Sequence, residues 1–407
     1  MIYNLSKNNK TIKGVIEIGG SKSESNRLLI LKNYLSDFKI INLSESDDTK
    51  ILLDALNSTK KNIDIHHAGT AMRFLLSYYA SKQNSEVILT GSDRMKNRPI
   101  GILVNALRYL GANIEYEGKE GYPPIKIIGK TLINNEVSLP ANISSQYISS
   151  LMMLGVKIKN GIKLKLEGNI TSKPYILMTK KLIERIGFNV AINNNEIEVL
   201  GKNKSLDKIV EVESDWSSAS YFYNIVAFSE DAKITLKTFN NNSIQGDSII
   251  SRIYEKLGVD TLYEKNYIII SKNKKTRLPK KLELDLSDSP DLAQTIAISC
   301  LGLGIECRLS GLHTLKIKET DRIEALKKEF IKLGVKDIET SKNTIYFKGD
   351  QKLNNNIIIS TYQDHRMALS FATLAVIIDI SIEHPNVVSK SFPNYWEHLK
   401  ALGFKIN

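Results

Sequence analysis

Cysteine is scarce in this chain: only Cys300 and Cys307 occur among its 407 residues. Two such residues make neither a disulfide framework nor a CxxC metal site, and Cys300 sits in the apolar run TIAISCLGLG, where it reads as a core residue. Long hydrophobic runs are missing too. The longest late one, Phe371 to Ile382, is interrupted by Asp379 and is too short to span a bilayer. The opening stretch MIYNLSKNNK has no apolar segment of the kind found in a secretory signal, so a cytoplasmic, reducing compartment is expected. Dense basic runs with interleaved aromatics are also absent. The excess of 56 Lys+Arg over 44 Asp+Glu, a net charge of +12, is spread along the chain. That balance suits small acidic ligands and leaves nucleic-acid binding a weak alternative.

What is present describes a globular protein of two or three domains, with 42% hydrophobic and 25% charged residues. The organising signal is a repeat. Apolar residues at helical spacing stop at a glycine in ALRYLGANIEYEG, LIERIGFNVAINNNEIEV, RIYEKLGVDTLYEKNYIII, FIKLGVKDIETSKNTIYF and the closing HLKALGFKIN. A glycine in the left-handed conformation is the usual end of a helix. In all but the last copy, a strand, a polar turn and a second strand follow. The five glycines, Gly111, Gly187, Gly258, Gly334 and Gly403, stand 76, 71, 76 and 69 residues apart. That period is too long for a solenoid and suggests a small α/β unit used repeatedly. A degenerate copy without the glycine, Leu52 to His67, brings the total to six, hence two domains of three. The midpoint falls near Val212 to Asp215 and an earlier crossing near Gly19–Gly20, so strands before it can belong to the second half. A cleft between two such domains is the expected place for a ligand.

Several helix entries carry polar or basic residues. In GGSKSESNR two glycines close a strand, and Lys22, Ser23 and Arg27 open a helix, with Ser23 and Arg27 on one face. Helix N-termini expose unpaired N–H groups and favour anions, although an ordinary Ser-capped helix would look the same. His67 to Arg73, a glycine-bearing entry, precedes FLLSYYA. Arg94 to Pro99 puts three cations before a helix whose first turn suits Pro99. Ser144, Ser145 and Gln146 enter YISSLMMLG, and Ser172-Lys173-Pro174-Tyr175 enters another helix. Later in the chain, Asp291 falls in a first helical turn, while Lys318, Glu319 and Arg322 begin a helix in which two cations flank a carboxylate able to handle a proton. Asp364-His365-Arg366 and Lys390 to Tyr395 are two further entries, and His365, with no metal-spaced partner, reads as structural. Each motif taken alone is weak. Together they place basic and hydroxyl-bearing helix starts in both halves of the chain.

Read in order, GGSKSESNR, AGTAMR, RMKNRPIG, SSQY, SKPY, SPDLA, KIKETDR, TYQDHRMA and KSFPNYW resemble the 3-phosphoshikimate 1-carboxyvinyltransferase (EPSP synthase) family over nearly the whole chain. The resemblance implies an α/β fold of two domains, each of three βαβαββ units in an inside-out α/β barrel, joined by two crossovers. The domains would be residues 21–213, and residues 1–20 with 214–407. It implies transfer of the enolpyruvyl group of phosphoenolpyruvate to the 5-hydroxyl of shikimate 3-phosphate, releasing phosphate through a tetrahedral intermediate on the way to chorismate and the aromatic amino acids. Carried onto matching positions, shikimate 3-phosphate would meet Lys22, Ser23, Arg27, Ser144, Ser145, Gln146, Ser172, Asp291 and Lys318. Phosphoenolpyruvate would meet Lys22, Gly69, Arg98, Gln146, Arg322, Arg366 and Lys390. Asp291 would be the base near the attacking hydroxyl, with Glu319 and Lys22 handling protons at the enolpyruvyl carbons. No cofactor, no metal, no nucleic acid and no membrane are implied, and a monomer is expected.

The related UDP-N-acetylglucosamine enolpyruvyl transferase typically carries a reactive cysteine in a first-domain loop, where this chain reads Gly91-Ser92-Asp93-Arg94. A catalytically silent paralogue is the other alternative, and the presence of Lys22, Asp291, Glu319 and Arg366 argues against it. Three positions depart from the family pattern: His67 for a usual Asn, Phe74 for a common Pro, and Thr314 for a frequent Asn. Glyphosate competes with phosphoenolpyruvate in this family, and Gly69 suggests a sensitive site.

Overall fold

A computed structural model of the chain describes residues 1–35, 38–142, 144–202 and 207–407. It divides into two compact units, Gly20–Val212, and Met1–Gly19 with Glu213–Asn407.

In the unit Gly20–Val212 one four-stranded sheet runs Asn62–Asp64, Glu86–Thr90, Ile125–Ile128, Asn113–Tyr116. The first pair is parallel and the others antiparallel. The same order and sense recur in Glu136–Pro140, Ile162–Glu167, Glu196–Lys202, Phe188–Asn193. In both, a helix links the parallel pair and a second helix leads to the hairpin, which is one βαβαββ unit. The third unit is reduced: among the described residues its sheet is the parallel pair Lys39–Ile41 and Ile209–Glu211. The degenerate copy at Leu52 to His67 is corrected accordingly. Its helix, Asp47–Asn57, is followed by Asn62–Asp64, which pairs in parallel with Glu86–Thr90 and makes no hairpin.

In the other unit Lys281–Asp285, Glu306–Ser310, Ile345–Phe347 and Ile338–Thr340 repeat the pattern within one stretch of chain. The two remaining sheets borrow strands from the N-terminus. Thr11–Ile16 pairs in parallel with Asp231–Lys237, and Ile2–Ser6 lies antiparallel between Ile380–Glu383 and Lys405–Ile406. The last copy of the repeat, which lacks its own second strand, is completed by the first strand of the chain.

Strands alternate buried and exposed residues, as in Asp231–Lys237, where Ala232, Ile234 and Leu236 point inward. The helices beneath are buried nearly all round. Trp216–Phe228 buries every residue except Ser217, Gly69–Ser81 every residue except Thr70, Ser145–Leu154 every residue except Gln146, and all of His365–Ala372 is buried. Helices inside and open sheets outside give the inside-out α/β arrangement. Gly111, Gly187, Gly258, Gly334 and Gly403 all adopt positive φ at the ends of their helices, the conformation that costs a β-carbon most.

Candidate active site

Three buried helices of the second unit begin close together. Trp216–Phe228 is capped by Asp215, His365–Ala372 by Asp364, and Ala293–Gly302 follows a single 3-10 turn, Pro290–Leu292, that holds Asp291. Asp291 is ringed by cations: Arg322 Nη1 lies 2.9 Å and Lys318 Nζ 3.7 Å from Oδ1, and Arg366 Nη2 lies 3.1 Å from Oδ2. Glu319 sits between two more contacts, with Lys390 Nζ 2.7 Å from Oε1 and Arg322 Nη2 2.8 Å from Oε2. Arg322 is the hub. Its Nε donates to Asp364 Oδ2 at 2.6 Å, so one guanidinium holds Asp291, Glu319 and Asp364 together. Burial opposes that charge, but Asp364, Glu319 and Asp291 outweigh it and hold the guanidinium protonated more firmly than usual. Arg366 also reaches Tyr221 OH and Ser217 Oγ, each at 3.4 Å. Burial pushes the Tyr221 phenol up to about 12, with Arg366 and Arg322 pulling the other way.

Two helix starts here differ from the sequence-based expectation. Lys318 and Glu319 lie in the bend before the helix, which begins at Arg322 with Asp321 as its cap. Lys390 closes a 3-10 helix, Pro385–Lys390, and the last α-helix starts at Tyr395. Asp321 caps the first by accepting from Glu324 N, and Asn394 precedes the second without a side-chain cap. His365, 1% exposed, lies against Asp364 with Nδ1 3.8 Å from Oδ1.

The unit Gly20–Val212 has its own set. Lys22 is the first residue of the helix Lys22–Leu35, and its Nζ lies 3.3 Å from buried Asp48. Arg27, one turn on, is fully engaged: Nη1 donates to the Ser23 carbonyl, Nε to Thr179 Oγ1 and Nη2 to Ser149 Oγ, at 2.8, 2.7 and 3.0 Å. Burial lowers its pKa to about 10, and the guanidinium packs over the rings of Phe74 and Tyr175. Phe74 is thus a platform for Arg27.

Gly69 opens the helix Gly69–Ser81 beneath Arg98, and a β-carbon at 69 would lie 2.5 Å from Arg98 Nη1. Arg73 Nη1 donates to the Gly69 carbonyl at 3.0 Å and Nη2 to that of Pro99 at 3.3 Å, while Tyr147 OH donates to the same Pro99 carbonyl at 2.6 Å. Gln146 Nε2 donates to Thr70 Oγ1 at 3.1 Å. Ser144 caps the helix Ser145–Leu154 by accepting from Gln146 N. These bonds knit residues 69–73, 98–99 and 144–147 together. Pro99 does not enter a first helical turn as expected: the helix is Gly101–Tyr109, with Ile100 before it. Ser172, a short way from Thr179 in sequence, precedes Lys173–Arg185 with φ 54°. Asp48, Ser149, Thr179 and Asp364 orient the predicted residues. Only Asp364 carried a signal, as the polar residue opening DHRMA.

Comparison with known proteins places this geometry. The family described as EPSP synthase (3-phosphoshikimate 1-carboxyvinyltransferase) matches residues 56–399. A 3-phosphoshikimate 1-carboxyvinyltransferase of Bacteroides fragilis (strain YCH46) is 44% identical over 398 residues, covering 97% of this chain and 96% of its own. That of Colwellia psychrerythraea is 34% identical, covering 95% and 96%. The solved EPSP synthase of Acinetobacter baumannii superposes with a TM-score of 0.78 over 100% of this chain and 99% of its own, at 21% identity, a likeness of fold. The chain belongs to the EPSP synthase (3-phosphoshikimate 1-carboxyvinyltransferase) family.

Proposed function

We propose that this protein transfers the enolpyruvyl group of phosphoenolpyruvate to the 5-hydroxyl of shikimate 3-phosphate. The observation that carries the reading is the pairing of Asp291 and Glu319 through Arg322, with Lys318, Arg366 and Lys390 around them. Two carboxylates able to move protons thus stand among cations able to hold phosphate and carboxylate groups. Asp291 takes the proton of the 5-hydroxyl as its oxygen bonds to the central carbon of phosphoenolpyruvate. Glu319 or Lys22 delivers a proton to the methylene carbon, giving a tetrahedral adduct. The adduct then loses phosphate from the central carbon and a proton from the methyl group, which restores the vinyl ether.

Shikimate 3-phosphate is assigned to Lys22, Ser23, Arg27, Ser144, Ser145, Gln146, Ser172, Asp291 and Lys318. Phosphoenolpyruvate is assigned to Lys22, Gly69, Arg98, Gln146, Arg322, Arg366 and Lys390. Arg27 reaches Ser23, Ser149 and Thr179 with three of its N–H groups, which fixes the fork before any ligand arrives. The proposed form is a cytoplasmic monomer, and glyphosate is expected to inhibit in competition with phosphoenolpyruvate.

Phosphate release from phosphoenolpyruvate with shikimate 3-phosphate, set against UDP-N-acetylglucosamine as acceptor, tests the reading. Release with the first acceptor and none with the second is expected, and silence with shikimate 3-phosphate overturns it. Asp291→Asn and Glu319→Gln are each expected to lower kcat by roughly 100-fold or more while ligand affinity changes little. Unchanged kcat in either variant removes that residue's proton-transfer role.

A further inference from the structure

One buried carboxylate beside this cluster has no role in the reaction as described. Asp247 is the second residue of the 3-10 helix Gly246–Ile249 and is 4% exposed. Its Oδ2 accepts a hydrogen bond from Ser217 Oγ, and its Oδ1 has no hydrogen-bond partner among the described residues. A buried carboxylate oxygen without a donor is costly, so a fold that keeps one has a use for the charge or the proton.

The surroundings suggest which. Ser217 is the single residue of Trp216–Phe228 that is not buried, and it also accepts from Arg366 Nη2, which in turn contacts Asp291. A continuous path therefore runs from Asp247 through Ser217 and Arg366 to Asp291. Asp247 feels Asp291 and Asp215 as like charges and Arg366 as an opposite one. Burial first, and the Asp291 charge second, raise its pKa to about 6. Coupling of this kind is mutual, so an ionised Asp247 makes Asp291 hold a proton more readily. Asp291 needs that help, because Arg322, Lys318 and Arg366 all disfavour its protonation, and a carboxylate ringed by three cations is a poor base.

We propose that Asp247 is a positioning residue of this site, orienting Ser217 so that Arg366 is held on Asp291 and restoring to Asp291 the proton affinity that three surrounding cations remove. The proposal rests on the reading of Asp291 as the base. Its test uses the full chain with Asp247→Asn, which removes the charge, and Ser217→Ala, which cuts the path and keeps the charge.

Carboxyl-carbon NMR titration of Asp291 should move to lower pH in Asp247→Asn, whether or not turnover is measured. With shikimate 3-phosphate and phosphoenolpyruvate, the acid limb of kcat should move the same way and kcat should fall about 10-fold, with KM for shikimate 3-phosphate little changed. Ser217→Ala should leave the acid limb in place and raise KM for phosphoenolpyruvate. Should Asp247→Asn fail to fold, Asp291→Asn reads the coupling from the other side, through a lower titration of Asp247. An Asp291 titration unmoved by Asp247→Asn overturns the inference, as does a loss of thermal stability with both the acid limb and KM unchanged. Absent turnover in the wild type counts against the reaction assigned above, while the titrations still decide the coupling.

Discussion

Arg98 lies so close over Gly69 that the two act as one feature. A β-carbon at 69 would meet the far end of a flexible side chain, so the fold should tolerate Gly69→Ala while Arg98 is pushed aside. KM for phosphoenolpyruvate is expected to rise roughly 10-fold, worth about 1.4 kcal/mol, with a smaller change in kcat, and steady-state kinetics checks it. A second residue-scale consequence concerns Asp247. Its folded pKa is raised above the ordinary 3.8 to about 6, so the folded protein holds the proton more tightly than the unfolded chain. Stability from this group is therefore present at low pH and is lost as pH rises through about 6. Asp247→Asn should compare more favourably with the wild type at about pH 8 than at about pH 5, read as the difference in melting temperature at the two pH values. Lys22, Asp291, Arg322 and Arg366 stand in first helical turns, where the sequence marks them, whereas Lys318, Glu319 and Lys390 do not. Their partners are unmarked. Ser149 and Thr179 reach Arg27 from 122 and 152 residues away, and nothing local marks a serine or threonine on an apolar helix as a ligand for a guanidinium.

The helix Arg322–Lys332 acts as a clamp on the chain around Asp364. At its start Arg322 holds Asp364. Two turns later Glu329, fully buried, accepts from Tyr362 OH at 2.6 Å and from Ser360 N at 3.2 Å. The segment so held contains Tyr362 and Gln363, both at positive φ, a conformation that costs each residue energy and that the clamp must offset. Tyr362→Phe removes one donor from a buried carboxylate. It is expected to destabilise the protein by about 1–3 kcal/mol in denaturant unfolding and to raise KM for phosphoenolpyruvate, because the segment leads directly into Arg366. Helices and hairpins of the repeat were readable from apolar spacing and terminal glycines. The starts near Lys318, Pro99 and Lys390 were not: Asp321 caps one of them, while the helices beginning at Gly101 and Tyr395 start without a side-chain cap to mark them.

At the scale of the molecule, the N-terminal residues complete two sheets that otherwise belong to the far half of the sequence. Leu5, Ile12, Ile16 and Ile18 are all buried in the apolar core of that unit. Deleting residues 1–19 would strip one strand from each sheet, expose Asp231–Lys237 and Ile380–Glu383, and remove four buried side chains worth about 2 kcal/mol each. The truncated chain is expected to be unfolded or aggregated, unlike most terminal deletions, and circular dichroism with size-exclusion chromatography decides the point.

Local patterns alone determined the repeating α/β unit, its glycine-terminated helices and the basic and acidic residues at the helix entries, because spacing, capping and charge act over a few residues. Pairing the first strand with the last copy of the repeat, reducing one sheet to two strands, and gathering Asp291, Glu319 and Asp364 on Arg322 were settled in three dimensions. Those outcomes depend on contacts between distant segments, where burial and charge pairing are decided by what the fold brings together and leave no local mark in the chain.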